Sequence, residues 1–156
     1  MIKKPFIFKI LAKKGVKQGV FGADFGNISF KYGRKERVFK NRKKIADFLK
    51  IKVEDIWEMD QVHRNMVKVL RNKDIKRSKE NIIPETDGLI TNQKNVFLMI
   101  KTGDCFPVLL LEPEKKIIAA IHIGLRGAIE KIFLTALIKM INVFKIKTKN
   151  VLVGIG

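Results

Sequence analysis

The strongest constraint on the fold is a pair of short apolar runs at 106–111 and 117–123, rich in branched residues and joined by the polar stretch EPEKK. Runs of this length separated by a hairpin-length connection predict two buried, antiparallel strands. The pairing has a chemical consequence: Cys105, at the start of the first run, falls at the same end as His122, near the finish of the second. Cys105 is the only cysteine and His122 one of two histidines. A thiol and an imidazole are therefore expected to meet. The second run leads directly into Gly124, Leu125, Arg126 and Gly127, where a helix should begin. Free backbone N–H groups at such a start favour an anion such as phosphate.

The remaining elements follow from periodicity. Ile129, Ile132, Phe133, Ala136, Leu137, Met140 and Ile141 recur at helical intervals and predict one continuous helix over 128–143. A second amphipathic helix is predicted over 36–50, with Val38, Ile45, Phe48 and Leu49 on its apolar stripe and Lys40, Arg42, Lys43 and Asp47 on the rest. Upstream, 5–11, 19–25 and 27–32 read as short strands separated by glycines. Lys9, Lys13 and Lys14 interrupt the apolar opening, so the N-terminus is expected to be a first strand and not a secretion signal. A short further element begins over 53–57, with Glu54 and Asp55 as its helix-entry residues. The stretch 59–70 predicts a half-buried strand on which His63 shares the inward parity of Val67 and Val69. An exposed loop over 71–85 ends at Pro84, and Asp87 with Gly88 marks a turn. The run 96–100 is expected as a central strand buried on both faces, and VLVGIG (151–156) as a final core strand.

At 156 residues and 46% hydrophobic the chain is long enough for one core, so a single domain spanning 1–156 is expected. The net charge is +18. That excess is mostly lysine spread along the chain without interleaved aromatic residues, which favours a solvated surface over a nucleic-acid face. A single cysteine allows no internal disulfide and fits a reduced, cytoplasmic setting. No run approaches the length of a membrane span.

His63, Cys105 and His122 are the whole supply of strong nitrogen and sulfur ligands. One thiolate and two imidazoles form a good zinc set with a fourth position left for water. Their spacing leaves three other uses open: a Cys105/His122 nucleophile and base pair, an electron-transfer copper site, and an inert buried cysteine beside structural histidines. Arg126 is a candidate for gripping an anionic substrate, and Asp104 and Asp87 for orienting a ligand histidine.

Four ordered blocks, QVHRN (61–65), TDGLIT (86–91), TGDCFPVLL (102–110) and AAIHIGLRG (119–127), resemble the laccase-domain family, also called polyphenol-oxidase-type, peptidoglycan editing factor or purine nucleoside phosphorylase. NISFKYG (27–33), the following helix and VLVGIG are similar to the same family. The resemblance implies a mixed α/β fold with sheets flanked by helices, and zinc, in preference to copper, held by His63, Cys105 and His122. It implies phosphorolysis of adenosine, inosine and methylthioadenosine and deamination of adenosine, with purine nucleosides and phosphate as partners. In some relatives a peptidoglycan-precursor editing role is implied instead. Arg126 and Asp104 become the candidate catalytic groups, and Asn27, Thr102 and Gly124 the candidate substrate contacts. The chain departs from the pattern at Arg64, Gly103 and Leu125, where glycine, alanine and tryptophan are usual. Relatives continue past VLVGIG, so a C-terminally incomplete domain is expected. A cysteine-type hydrolase using Cys105 and His122, and a basic nucleic-acid-binding module, are the alternative functions; the sequence leaves the oligomeric state open.

Overall fold

A computed structural model describes residues 4–75, 78 and 80–156. In chain order its elements are α1 (Lys9–Ala12), α2 (Lys35–Leu49), β1 (Ile56–Met59), β2 (Val67–Leu70), β3 (Asn81–Ile83), β4 (Gly88–Thr91), β5 (Phe97–Met99), β6 (Phe106–Glu112), β7 (Ile117–Ile123), α3 (Leu125–Ile129), α4 (Ile132–Phe144) and β8 (Leu152–Ile155). They form two sheets. A parallel sheet has the order β3-β1-β5, and a mixed sheet the order β2-β4-β7-β6-β8. This is the mixed α/β architecture that the sequence predicts.

The expected hairpin lies at the centre of the larger sheet. β6 and β7 pair antiparallel over their full length, with Pro107 opposite His122 and Phe106 opposite Ile123. Alternation then divides β7 between two environments. Ile117, Ala119, Ile121 and Ile123 join the core under α4, where Ile132, Ala136 and Met140 are fully buried. Ala120 faces the other way, into a second core with Trp57, Met59 and Leu89 between the two sheets. His122 has the parity of Ala120. It is carried to the inter-sheet side by the same pleat.

The upstream strands are replaced by tighter structure. Residues 5–32 contain α1, 3₁₀ turns at Ala23–Phe25 and Phe30–Tyr32, and one isolated bridge between Phe6 and Val20. The strand expected over 5–11 is therefore replaced by α1 and that single bridge; residues 1–3 lie outside the described residues. Phe8 and Leu11 are apolar because they cap Leu111 at the end of β6, a burial that needs no alternation. The 71–85 loop, of which 76, 77 and 79 lie outside the described residues, contains β3, whose Asn81 side chain bonds the Glu54 and Ile56 carbonyls.

β5 is an edge strand and not a central one, and β8 is likewise an edge, with Ile155 exposed. The predicted 128–143 helix is broken: α3 ends at Ile129, and Lys131 adopts a left-handed backbone (φ 59°) before α4 begins. Helix α2 matches its predicted span, yet Arg42 is buried on it and Phe48 is exposed. The guanidinium of Arg42 bonds the Ile28 carbonyl and the buried Glu58 carboxylate and stacks over the Phe30 ring, while Lys101 bonds Glu58 from the other side. No periodicity in α2 shows such a partner, because it lies on a strand beyond the helix.

Candidate metal centre

His122 is 2% exposed and Asp87, which ends the turn before β4, is wholly buried. The backbone N–H of His122 donates to the Asp87 carbonyl at 2.7 Å, and its ring Nδ1 bonds Asp87 Oδ1 at 2.8 Å. With Nδ1 carrying the proton towards that carboxylate, Nε2 keeps its lone pair for a metal. Asp87 also accepts from three successive amides, those of Val62, His63 and Arg64, at 3.2, 3.0 and 3.0 Å. Burial pushes the Asp87 carboxyl up, but the His122 ring and the amides of Arg64, His63 and Val62 together hold it below the ordinary carboxylate value.

Those amides also shape the backbone at His63. The residue has a left-handed conformation (φ 59°) within a turn, and the strand expected there begins only at Val67. His63 is therefore placed by its turn and not by strand parity. Its ring is exposed and meets that of His122 edge to face, with centroids 4.7 Å apart. Cys105 stands immediately before β6. Its thiol donates to Asp104 Oδ1 at 3.6 Å. Burial pushes the thiol pKa up, and the hydrogen bond and charge of Asp104, then the charge of Asp87, push it further.

The ligand atoms of His63, Cys105 and His122 all lie within 4.8 Å of one another. A tetrahedral ion with bonds of about 2.0–2.3 Å sets donors roughly 3.5 Å apart, so small side-chain rotations would bring all three to one ion. Gly124 supplies a second sign of fit. A Cβ there would lie 3.1 Å from His63 Cδ2 and 3.3 Å from Cys105 Sγ, so a side chain would crowd two of the donors together. One thiolate and two imidazoles suit zinc or a single copper. A multi-copper set needs more imidazoles than the two in these 156 residues.

All three donors line a cleft of about 1190 Å³ between the sheets. Asn27, Thr102 and Asp104 line it too. The Asn27 side chain is engaged with Ser29, accepting from its amide at 2.8 Å. Arg126 does not line the cleft; its Nε donates to Glu130 at 2.9 Å, within the first turns after β7. Gly124 lies behind the donors and does not line the cleft. Two features escaped sequence reasoning. The threefold grip of Asp87 on the 62–64 turn is visible in sequence only as an aspartate before a glycine, and the role of Gly124 as a cradle leaves no signal beyond its place after β7.

Together these features describe an α/β protein with a three-residue candidate metal centre at the mouth of an inter-sheet cleft. The sequence profile described as "Multi-copper polyphenol oxidoreductase laccase" matches residues 8–156. The chain belongs to this laccase-domain family. It is 33% identical over 154 residues to a Rickettsia prowazekii protein named purine nucleoside phosphorylase, covering 95% of this chain and 60% of the relative. It is 34% identical over 98 residues to purine nucleoside phosphorylase YlmD of Bacillus subtilis, covering 61% of this chain and 35% of the relative. Among solved structures, YlmD from Geobacillus stearothermophilus superimposes with a TM-score of 0.78 at 24% identity, over 83% of this chain and 50% of that one. YfiH from Bacillus licheniformis gives 0.74 at 26% identity over the same shares, 83% and 50%. The chain spans about half the length of the relatives it matches. Among the described residues no helix is long and apolar enough to cross a membrane.

Proposed function

We propose that the chain carries the zinc centre of a purine nucleoside phosphorylase, acting on adenosine, inosine and methylthioadenosine and deaminating adenosine. The observation that carries this reading is the convergence of His63, Cys105 and His122 within 4.8 Å in a cleft; the names of the relatives supply the substrate class. When bound, zinc would supply Lewis acidity and a water acidified towards neutrality. The chain's own groups do the rest. His122, held through Nδ1 by Asp87, offers Nε2 to the centre, and Asp104 Oδ1, already the acceptor of the Cys105 thiol, is placed to take its proton as the thiolate forms. Leu109, Ile118 and Ala120 give the cleft an apolar wall for a base, and Thr102 and Asn27 stand on its lining as sugar or base contacts. Arg126, which lies outside the cleft and pairs with Glu130, would serve phosphate only by leaving that carboxylate and turning towards the centre.

The cysteine-hydrolase alternative draws less support, since burial and Asp104 both disfavour the free thiolate that it requires. The test uses the full 156-residue chain loaded with zinc. Adenosine with phosphate should yield adenine and ribose 1-phosphate, and adenosine alone inosine, both lost on chelation. No turnover by the zinc-loaded chain would overturn the reading, and turnover that survives chelation would transfer it to the thiol.

A further inference from the structure

We infer that Gln61 is a positioning residue of the centre: its side-chain amide clasps the backbone of Lys101 and so sets how far His63 stands from Cys105. The inference rests on the reading of these residues as metal ligands. Gln61 lies two positions before His63, and Lys101 four before Cys105. The Gln61 amide donates from Nε2 to the Lys101 carbonyl at 2.7 Å and accepts through Oε1 from the Lys101 N–H at 2.8 Å. A primary amide is suited to this because it donates and accepts at once, as a backbone unit does.

The clasp continues a ladder that the main chains abandon. β1 and β5 pair in parallel as far as Glu58 opposite Met99. Beyond that point a side chain takes over the pairing with Lys101. The Lys101 ammonium turns back to the Glu58 carboxylate and donates to the Met59 carbonyl at 2.7 Å, so both the backbone and the side chain of Lys101 are tied to the end of β1. Asp87 links the 62–64 turn to His122. Among the described residues, Gln61 provides the hydrogen bonds that link the 61–64 turn to the 101–105 loop, where Thr102, Gly103 and Asp104 are exposed. The first link aligns the two imidazoles, and the second brings the sulfur into register with them.

The test is metal affinity of the full chain, read by competition with a chromophoric chelator for zinc and by the thiolate-to-metal absorption band for cobalt. Gln61→Ala and Gln61→Glu should each weaken zinc about tenfold or more, as loss of an outer-shell hydrogen bond typically does, and shift the cobalt band. Gln93→Ala, a change remote from the centre, should leave both unchanged. On the unaltered chain, hydrogen exchange at the Lys101 N–H should be slow without metal and slower with zinc. Zinc affinity of both Gln61 variants within about twofold of the parent, or a Lys101 N–H exchanging at the free-peptide rate, overturns the clasp while leaving the metal centre standing. A parent chain that takes up neither zinc nor cobalt removes the metal reading and the clasp's role with it.

Discussion

Asp87 holds His122 twice, through the backbone at 2.7 Å and through the ring at 2.8 Å, so neither the position nor the rotation of the imidazole is left to the side chain itself. The same carboxylate holds the amide of His63 at 3.0 Å. Two candidate ligands far apart in sequence thus share one buried anchor.

Replacing Asp87 by Asn should lower zinc affinity by about ten- to a hundredfold and cost about 2 kcal/mol at neutral pH. The carboxyl is held below its ordinary value of 3.8 in the folded chain. Its contribution to stability is therefore complete above that value and lost as pH falls through the lower folded one. Urea midpoints of parent and variant, measured without metal, should differ most near neutrality and converge in acid.

Gly124→Ala should leave the sheet intact, because the backbone there (φ −87°) suits any residue. The added methyl presses on His63 and Cys105 at 3.1 and 3.3 Å. Zinc affinity should fall about tenfold, with the thermal midpoint of the metal-free chain nearly unchanged.

Asp104→Asn removes the negative charge beside the Cys105 thiol. Burial still raises the thiol pKa, but the contribution of Asp104 disappears. In the metal-free chain, alkylation of Cys105 at about pH 7.5 should become roughly threefold faster, and its rate profile should move to lower pH.

Arg42→Met should destabilise the chain by about 3 kcal/mol, since it strips one partner from the buried Glu58 and empties the space over Phe30. Arg42→Met with Glu58→Met should recover much of the loss. Chemical denaturation of the two variants and the parent checks both outcomes.

What was legible in the sequence was what local pattern alone determines. The β6–β7 hairpin and the common end of Cys105 and His122 follow from two apolar runs joined by a short polar connection, and α2 from its spacing of Val38, Ile45 and Leu49. Strand parity does not account for the position of His63, since a turn gripped by Asp87 sets it; its meeting with Cys105 and His122 is what the family resemblance implies. Arg42 belied its place among polar positions because Glu58 lies outside the helix. Lys131 broke a helix whose apolar spacing runs through it unbroken. Phe97 to Met99 are apolar at a sheet edge because that edge faces the cleft. For His63 and Arg42 the deciding contact joins segments apart in the chain, where periodicity carries no information.

Because the three donors come from three separate stretches, an ion seated among them would act as a molecular staple. The chain has no disulfide to restrict its unfolded form. Removing the ion would release that restraint along with the chemistry, so the melting temperature should climb with free zinc concentration and serve as a gauge of occupancy.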